Sequence, residues 1–203
     1  MTHKKVTNDE HILLQRLQSG EEQALGALMQ LFYTELYDYA CKFTGDEPLI
    51  RDCIQEVLIS LWQRRDTATT ISAPKYYLLR AVKNKVLKAL HQNYKTTTFD
   101  TLAEYDFKVE FSIESMIVER QVSEENAARL QQLLFQLPAR QKEIIYLKFF
   151  HQLDPDQIAA LMNISRQSVY NLLYESLQKL RAFWHQEFIA SMVSLGFFIS
   201  FLF

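Results

Sequence analysis

Glycine and proline are scarce in this 203-residue chain, with four of each. That scarcity leaves little room for the many tight turns of a β-sandwich and favours long helices. Cysteine is scarcer still. Cys41 and Cys53 both fall within helical patterns and read as buried thiols in a reducing compartment, with a redox pair as the alternative. There is no Gly-rich phosphate loop, no His/Cys cluster at metal-ligand spacing and no nucleophile elbow. The histidines (His3, His11, His91, His151 and His185) are scattered. Neither a cofactor nor a metal is therefore expected, and nothing meets the geometric requirements of an enzyme site. The opening stretch MTHKKVTNDEH has no apolar core, so no secretory signal is expected and the chain is placed in the cytoplasm.

What is present is charge, segregated by segment. The formal net charge of −2 conceals it. Between Gln63 and Lys95 stand Arg64, Arg65, Lys75, Arg80, Lys83, Lys85, Lys88 and Lys95 against Asp66 alone, a local charge of +7. From Thr96 to Asn126 the balance reverses: Asp100, Glu104, Asp106, Glu110, Glu114, Glu119, Glu124 and Glu125 face only Lys108 and Arg120, giving −6. Segment charge carries the information that whole-chain charge hides.

Periodicity predicts an all-α chain. A first helix runs from about Glu10 to Gln18 and stops at Gly20, a C-cap residue. A second starts near Glu21, carries Leu25, Leu28, Met29, Phe32, Leu36, Tyr39, Ala40 and Phe43 at helical spacing, and ends around Gly45. A third spans Pro48 to Arg65, with Leu49, Cys53, Ile54, Val57, Leu58, Leu61 and Trp62 as its apolar stripe. After a polar loop, Asp66 to Ile71, Ser72 is placed to cap a fourth helix through about Gln92, with Pro74 in its first turn. The acidic stretch Thr96 to Ser123 lacks sustained periodicity and reads as a flexible linker. Four more helices follow: Asn126 to Leu137, Pro138 to Phe150, Asp154 to Met162 and Ser165 to Trp184.

The run DPDQIAALMNISRQSVYNLLYESLQKLR is helix-turn-helix grammar. Asp154 and Gln157 form a capping box around Pro155. Asn163 tolerates a left-handed turn, and Ser165 caps the next helix. Val169, Leu172, Leu173, Leu177 and Leu180 face inward, leaving Arg166, Gln167, Tyr170, Asn171, Tyr174 and Gln178 outside. Arg, Gln and Asn present the planar donor and acceptor pairs that read base edges in a major groove. A structural hairpin with a solvated face is the competing reading.

Two stretches resemble a known family. RDCIQEVLISLW is similar to the D-x-x-Q-E-V-x-x-x-x-W segment of extracytoplasmic-function (ECF) sigma factors, members of the sigma-seventy family. LPARQKEIIYLKFFHQLDPDQIAALMNISRQSV resembles their C-terminal promoter-binding domain. The resemblance implies two helical domains, 5–95 and 124–185, joined by the linker 96–123, and a sigma factor that guides core RNA polymerase to promoters and helps open them. Asp52, Gln55, Glu56 and Trp62 match positions on the helix that docks on the β′ clamp coiled coil; the β subunit is the second implied contact. Lys75, Tyr76, Tyr77, Arg80, Lys83 and Asn84 match the helix that recognises the minus-ten element, where cations hold phosphates and rings stack on unpaired bases. The loop Asp66 to Ile71 corresponds to the capture site of a flipped-out base. The helix-turn-helix, through Arg166, Gln167, Ser168, Tyr170, Asn171 and Tyr174, corresponds to the reader of the minus-thirty-five element. The linker is similar in placement to the family's linker, which threads polymerase channels, and an anti-sigma factor is an implied partner.

The chain also departs from the family pattern. Tyr170 stands where Lys or Arg is frequent, Glu175 where Arg is, and Tyr77 and Lys88 where many members carry Trp and Asp. Promoter sequence therefore does not carry over. The functional alternative is a stand-alone helix-turn-helix regulator, which explains the residues after Leu130 and leaves the QEV…W helix and the basic helix unassigned.

Phe188 to Phe203 carries no charged side chain and lies outside the family core. It is slightly short of the about 20 apolar residues that span a bilayer, and Glu187, Gln186 and His185 before it resist burial in hydrocarbon. Packing on the C-terminal domain or on an anti-sigma partner is the expectation, with membrane association as the alternative. Full-length protein and a truncation after Glu187, each expressed without a partner, are both expected in the soluble fraction. Carbonate-resistant pelleting of the full-length form alone makes the tail a membrane tether instead.

Overall fold

A computed structural model describes residues 3–94, 107 and 124–185, and every regular element among them is helical. The chain divides into two compact units, Met1–Lys108 and Val109–Phe203.

In the first unit α1 (His3–Gln18) begins earlier than periodicity predicts and ends at Gly20, whose φ of +87° is the left-handed geometry that glycine adopts freely. α2 (Glu22–Ala40) buries Ala24, Leu28, Phe32, Leu36, Tyr39 and Ala40, a stripe at spacings of three and four. Met29, expected on that stripe, is exposed. α3 (Glu47–Gln63) starts because the Asp46 carboxylate accepts the Leu49 N–H at 3.1 Å, with Pro48 in the first turn. Its inward face is Ile50, Cys53, Ile54, Val57, Leu58 and Leu61.

The loop expected after α3 is a 3-10 helix, Arg65–Thr70, in which the Thr67 and Thr70 hydroxyls donate back to the Arg64 and Thr67 carbonyls. α4 (Pro74–Tyr94) follows. The Tyr77 N–H donates to the Ala73 carbonyl at 3.0 Å, so the cap position falls on Ala73 and not on Ser72. α1 packs on α2 and on the 3-10 turn, while α2, α3 and α4 pack on one another. The Gln18 amide donates to the Asp66 carbonyl at 2.7 Å and ties the end of α1 to that turn.

Phe107 belongs to this unit although it lies in the stretch read as linker. It is fully buried, edge-on to Phe43 at 5.3 Å and to Tyr39 at 6.2 Å. Cys41 and Cys53 are free thiols, and burial raises the pKa of both, which keeps them protonated.

The second unit contains α5 (Glu124–Gln136), α6 (Ala139–Ile145), α7 (Pro155–Met162) and α8 (Arg166–His185). α6 widens into a π-helical turn, Tyr146–Phe150, closed by the His151 N–H on the Tyr146 carbonyl. Ile144, Leu147, Leu153, Ile158, Val169 and Leu173 form the core. Both arms of the expected capping box are present: Gln157 N–H to Asp154 Oδ1 at 2.8 Å, and Asp154 N–H to Gln157 Oε1 at 3.1 Å. The turn is made by Asn163 at φ 53°, ψ 51°, with the Ile164 N–H on the Ala159 carbonyl. Ser165 then caps α8 by accepting the Ser168 N–H at 3.0 Å.

Asn163 holds a left-handed backbone that costs a residue with an ordinary Cβ roughly 1–2 kcal/mol. Asn163→Ala is expected to lower the unfolding free energy of this unit by about that amount, and Asn163→Gly to leave it near wild type. Urea titration of the two variants checks the ordering; equal loss in both means that the Asn side chain, not the backbone, is what matters.

Candidate nucleic-acid interface

In α3, the residues left outside by the buried stripe fall on one face. Asp52, Gln55, Glu56 and Gln63 are exposed there at helical spacing. Sequence reasoning missed Ile59, which sits amid them with 46% of its surface exposed. It is the one exposed apolar side chain among the polar residues of that face. Its signal was available: Ile59 is three and four residues from Glu56 and Gln55, and falls off the Val57–Leu58–Leu61 stripe. Trp62 stands at the edge of this face, half-buried, with the Arg65 guanidinium 4.8 Å above its ring and donating to the Trp62 carbonyl.

α4 sorts its candidates by direction. Arg80 and Asn84 are exposed, and Tyr77 lies half-buried at the start of the same ridge. Lys88 continues that ridge one turn further; the sequence marked it as a departure from the family pattern and not as a minus-ten contact. Tyr76 is half-buried, its hydroxyl 3.4 Å from the Arg80 guanidinium. Lys75 is drawn to the flank by an ion pair with Glu35 at 2.6 Å. Beside them lies Glu10, whose pKa is raised because burial outweighs the pull of Lys75. Lys83 sits apart from the ridge: it is 4% exposed, with its ammonium 5.7 Å from the centre of the Phe43 ring. Lys85, on the other flank, forms an ion pair with Glu56 of α3.

In α8 the outward residues pair along the helix at i, i+4. The Gln167 side-chain amide donates to Asn171 Oδ1 at 3.0 Å, and that of Gln178 to the Tyr174 hydroxyl at 2.7 Å. Arg166 lies 5.8 Å from the Tyr170 ring, donates to its hydroxyl and meets Asp156 of α7 at 3.4 Å. The Tyr170 hydroxyl and then the Asp156 carboxylate hold its pKa above the usual guanidinium value. The Ser168 hydroxyl is hydrogen-bonded to that of Ser165 within the cap. The inward stripe is centred on Val169, Leu173 and Ser176; Leu172, Leu177 and Leu180 are only half-buried. Ser176 is buried because its hydroxyl donates to the Leu172 carbonyl at 2.6 Å. This face offers amides, a guanidinium and two exposed phenol rings, which suit base edges and thymine methyl groups better than phosphates. Among the described residues no group of His, Cys, Asp and Glu is arranged to hold a metal, and no helix is long and apolar enough to cross a membrane.

These features define a helical protein with a helix-turn-helix in one unit and a basic helix beside a polar helix face in the other. The comparisons with known proteins agree unit by unit. Residues 28–96 match the family model of sigma-70 region 2, and residues 127–180 match that of sigma-70, region 4. The ECF RNA polymerase sigma factor SigL of Mycobacterium tuberculosis is 25% identical over 173 residues, covering 80% of this chain and 92% of the relative. The solved structure of CnrH in complex with the cytosolic domain of CnrY shares the fold at a TM-score of 0.52 and 19% identity, over 88% of this chain and 99% of that one. The sigma factor RpoE of Bartonella quintana, solved in complex with the anti-sigma factor NepR, does so at 0.52 and 16%, over 79% and 96%. The chain belongs to the sigma-70 family, in its ECF group.

Gln167 and Asn171 are both exposed on this face, and a free Asn or Gln amide is the kind of group that contacts a base edge through paired donor and acceptor. Gln167→Ala is expected to relax preference at one or two positions of the upstream promoter element, at about 1–3 kcal/mol each. Competition binding against a randomised element measures this; a uniform loss across all sequences makes Gln167 a backbone contact.

Proposed function

We propose that this chain binds core RNA polymerase, directs it to specific promoters and helps open the minus-ten DNA to start transcription. The observation that carries the reading is that one chain holds both a region-2 and a region-4 match, each on a unit whose exposed residues suit the matching task. Asp52, Gln55, Glu56 and Ile59 of α3, with Trp62 at the edge, form the face for the β′ clamp. Tyr77, Arg80, Asn84 and Lys88 line the minus-ten ridge, with Tyr76 and Lys75 at its margin. Arg166, Gln167, Tyr170, Asn171 and Tyr174 face the minus-thirty-five element, and Ser168 supports the turn that presents them. Polymerase performs the chemistry, so the chain itself acts by binding and not as an enzyme.

The solved complex of RpoE with an anti-sigma factor supports an anti-sigma partner here as well. A factor that acts with polymerase on promoter DNA belongs, on this reading, to the cytoplasm. The apolar run 188–203 lies outside the described residues, and its docking on this protein, on a partner or on a membrane stays a proposal. A stand-alone helix-turn-helix regulator leaves the match over residues 28–96 without a task.

Glu56→Lys reverses a charge on the exposed face of α3 and touches none of the buried stripe. It is expected to weaken association with core polymerase severalfold while helicity, read by circular dichroism, stays constant. Copurification at the wild-type level removes this face from the polymerase interface.

A further inference from the structure

The proposed docking face and the proposed promoter ridge belong to adjacent helices, and an ion pair links their flanks. Lys85 leaves α4 on the flank that faces α3, and its ammonium pairs with the Glu56 carboxylate. Both side chains remain substantially open to water, 40% and 54% exposed. An ion pair of that exposure is weak and readily exchanged. Each partner is therefore available to a competitor of the same charge as its present mate: a cationic group for Glu56, a phosphate for Lys85. Glu56 is one of the four residues that the docking motif assigns to polymerase. Lys85 is one turn away from Lys88 and next to Asn84, at the border of the ridge.

We propose that Lys85 is a phosphate-binding residue held in reserve by Glu56, and that polymerase docking releases it to the minus-ten DNA. A polymerase cation that takes Glu56 leaves Lys85 without its counter-charge, and a DNA phosphate then neutralises it. The exchange is reciprocal: a phosphate that takes Lys85 first leaves Glu56 open to polymerase. Two ligands that break the same internal contact favour each other's binding by the free energy of that contact, because only the first to bind has to break it. The neighbouring ion pair between Lys75 and Glu35 does not do this, since Glu35 belongs to α2 and not to the docking face.

The polymerase arm of the inference rests on the reading of α3 given above; the DNA arm does not. The DNA arm uses the full chain alone with a mixed-sequence single-stranded oligodeoxynucleotide. Glu56→Gln frees Lys85, so affinity at low salt is expected to rise roughly two- to fivefold, the yield of one exposed ion pair. The slope of log affinity against log salt is expected to steepen by about 0.7, the value for one further phosphate contact on a single strand. The double variant Glu56→Gln with Lys85→Gln is expected to lose both gains. An unchanged affinity for Glu56→Gln overturns the proposal, and so does a gain that persists in the double variant, because the carboxylate then acts by plain repulsion.

The polymerase arm measures the same oligodeoxynucleotide with core polymerase present. There Lys85→Gln is expected to weaken binding by the same two- to fivefold, with a shallower salt slope, and an unaltered slope counts against the proposal. Failure of Glu56 as a docking residue shows separately, as undiminished polymerase association of Glu56→Lys, and leaves the oligodeoxynucleotide result for the chain alone intact.

Discussion

The packing of α3 against α4 is the constraint on which the N-terminal unit depends. Each helix spends one side on the core: Cys53, Ile54, Val57, Leu58 and Leu61 from α3, and Leu78, Leu79, Val82, Val86 and Leu87 from α4. Because a helix turns once in about 3.6 residues, burying those positions also decides which residues face water. Asp52, Gln55, Glu56 and Ile59 are outside for that reason, and so are Arg80, Asn84 and Lys88. Interiors at crystal-like density allow little sliding, so two outward faces on touching helices stand in a fixed relation. The placement of one outward face relative to the other is thus set by the apolar contact between the two helices.

The C-terminal unit solves a different problem, the placement of a reading helix, and solves it at the turn. Asp154, Gln157, Asn163 and Ser165 satisfy the backbone groups that helix ends leave open. α7 is only eight residues long, too short to be stable alone, so these caps and the buried Ile158, Leu161 and Met162 carry it. With the turn fixed, Val169 and Leu173 orient α8, and the polar ladder from Arg166 to Gln178 follows.

Much of this was legible in the sequence, and the limits have physical causes. Periodicity found the helices and cap chemistry found the turn, because both are local. Lys83 was harder: charge alone groups it with the DNA contacts, yet it lies four residues after Leu79 and four before Leu87, on the inward side. A lysine stem is apolar enough to be buried when its ammonium finds an aromatic face, here Phe43. Phe107 had no local signal at all, since a single ring in an acidic stretch has no period, and only the aromatic site made by Tyr39 and Phe43 gives it a place. The 3-10 turn at Arg65–Thr70 was read as a loop because its hydroxyl back-bonds leave no apolar pattern. Ser176 was missed for a related reason, since its own helix satisfies the hydroxyl that makes it look polar.

The same sorting changes what the basic block means. By sequence, residues 63–95 carry a local charge of +7. In the folded unit Lys75 and Lys85 are ion-paired to Glu35 and Glu56, Lys83 is buried, and Arg65 lies over Trp62. Arg80 and Lys88 are left as the cations on the ridge itself. Sequence-independent attraction to DNA grows with the number of phosphates neutralised, so a ridge with few open cations has little hold on DNA of arbitrary sequence. What remains on it, a phenol ring, an amide and two cations, suits exposed bases as much as backbone. On the function proposed above, such a surface has little hold on DNA alone and acts where polymerase, held through the α3 face, supplies the grip.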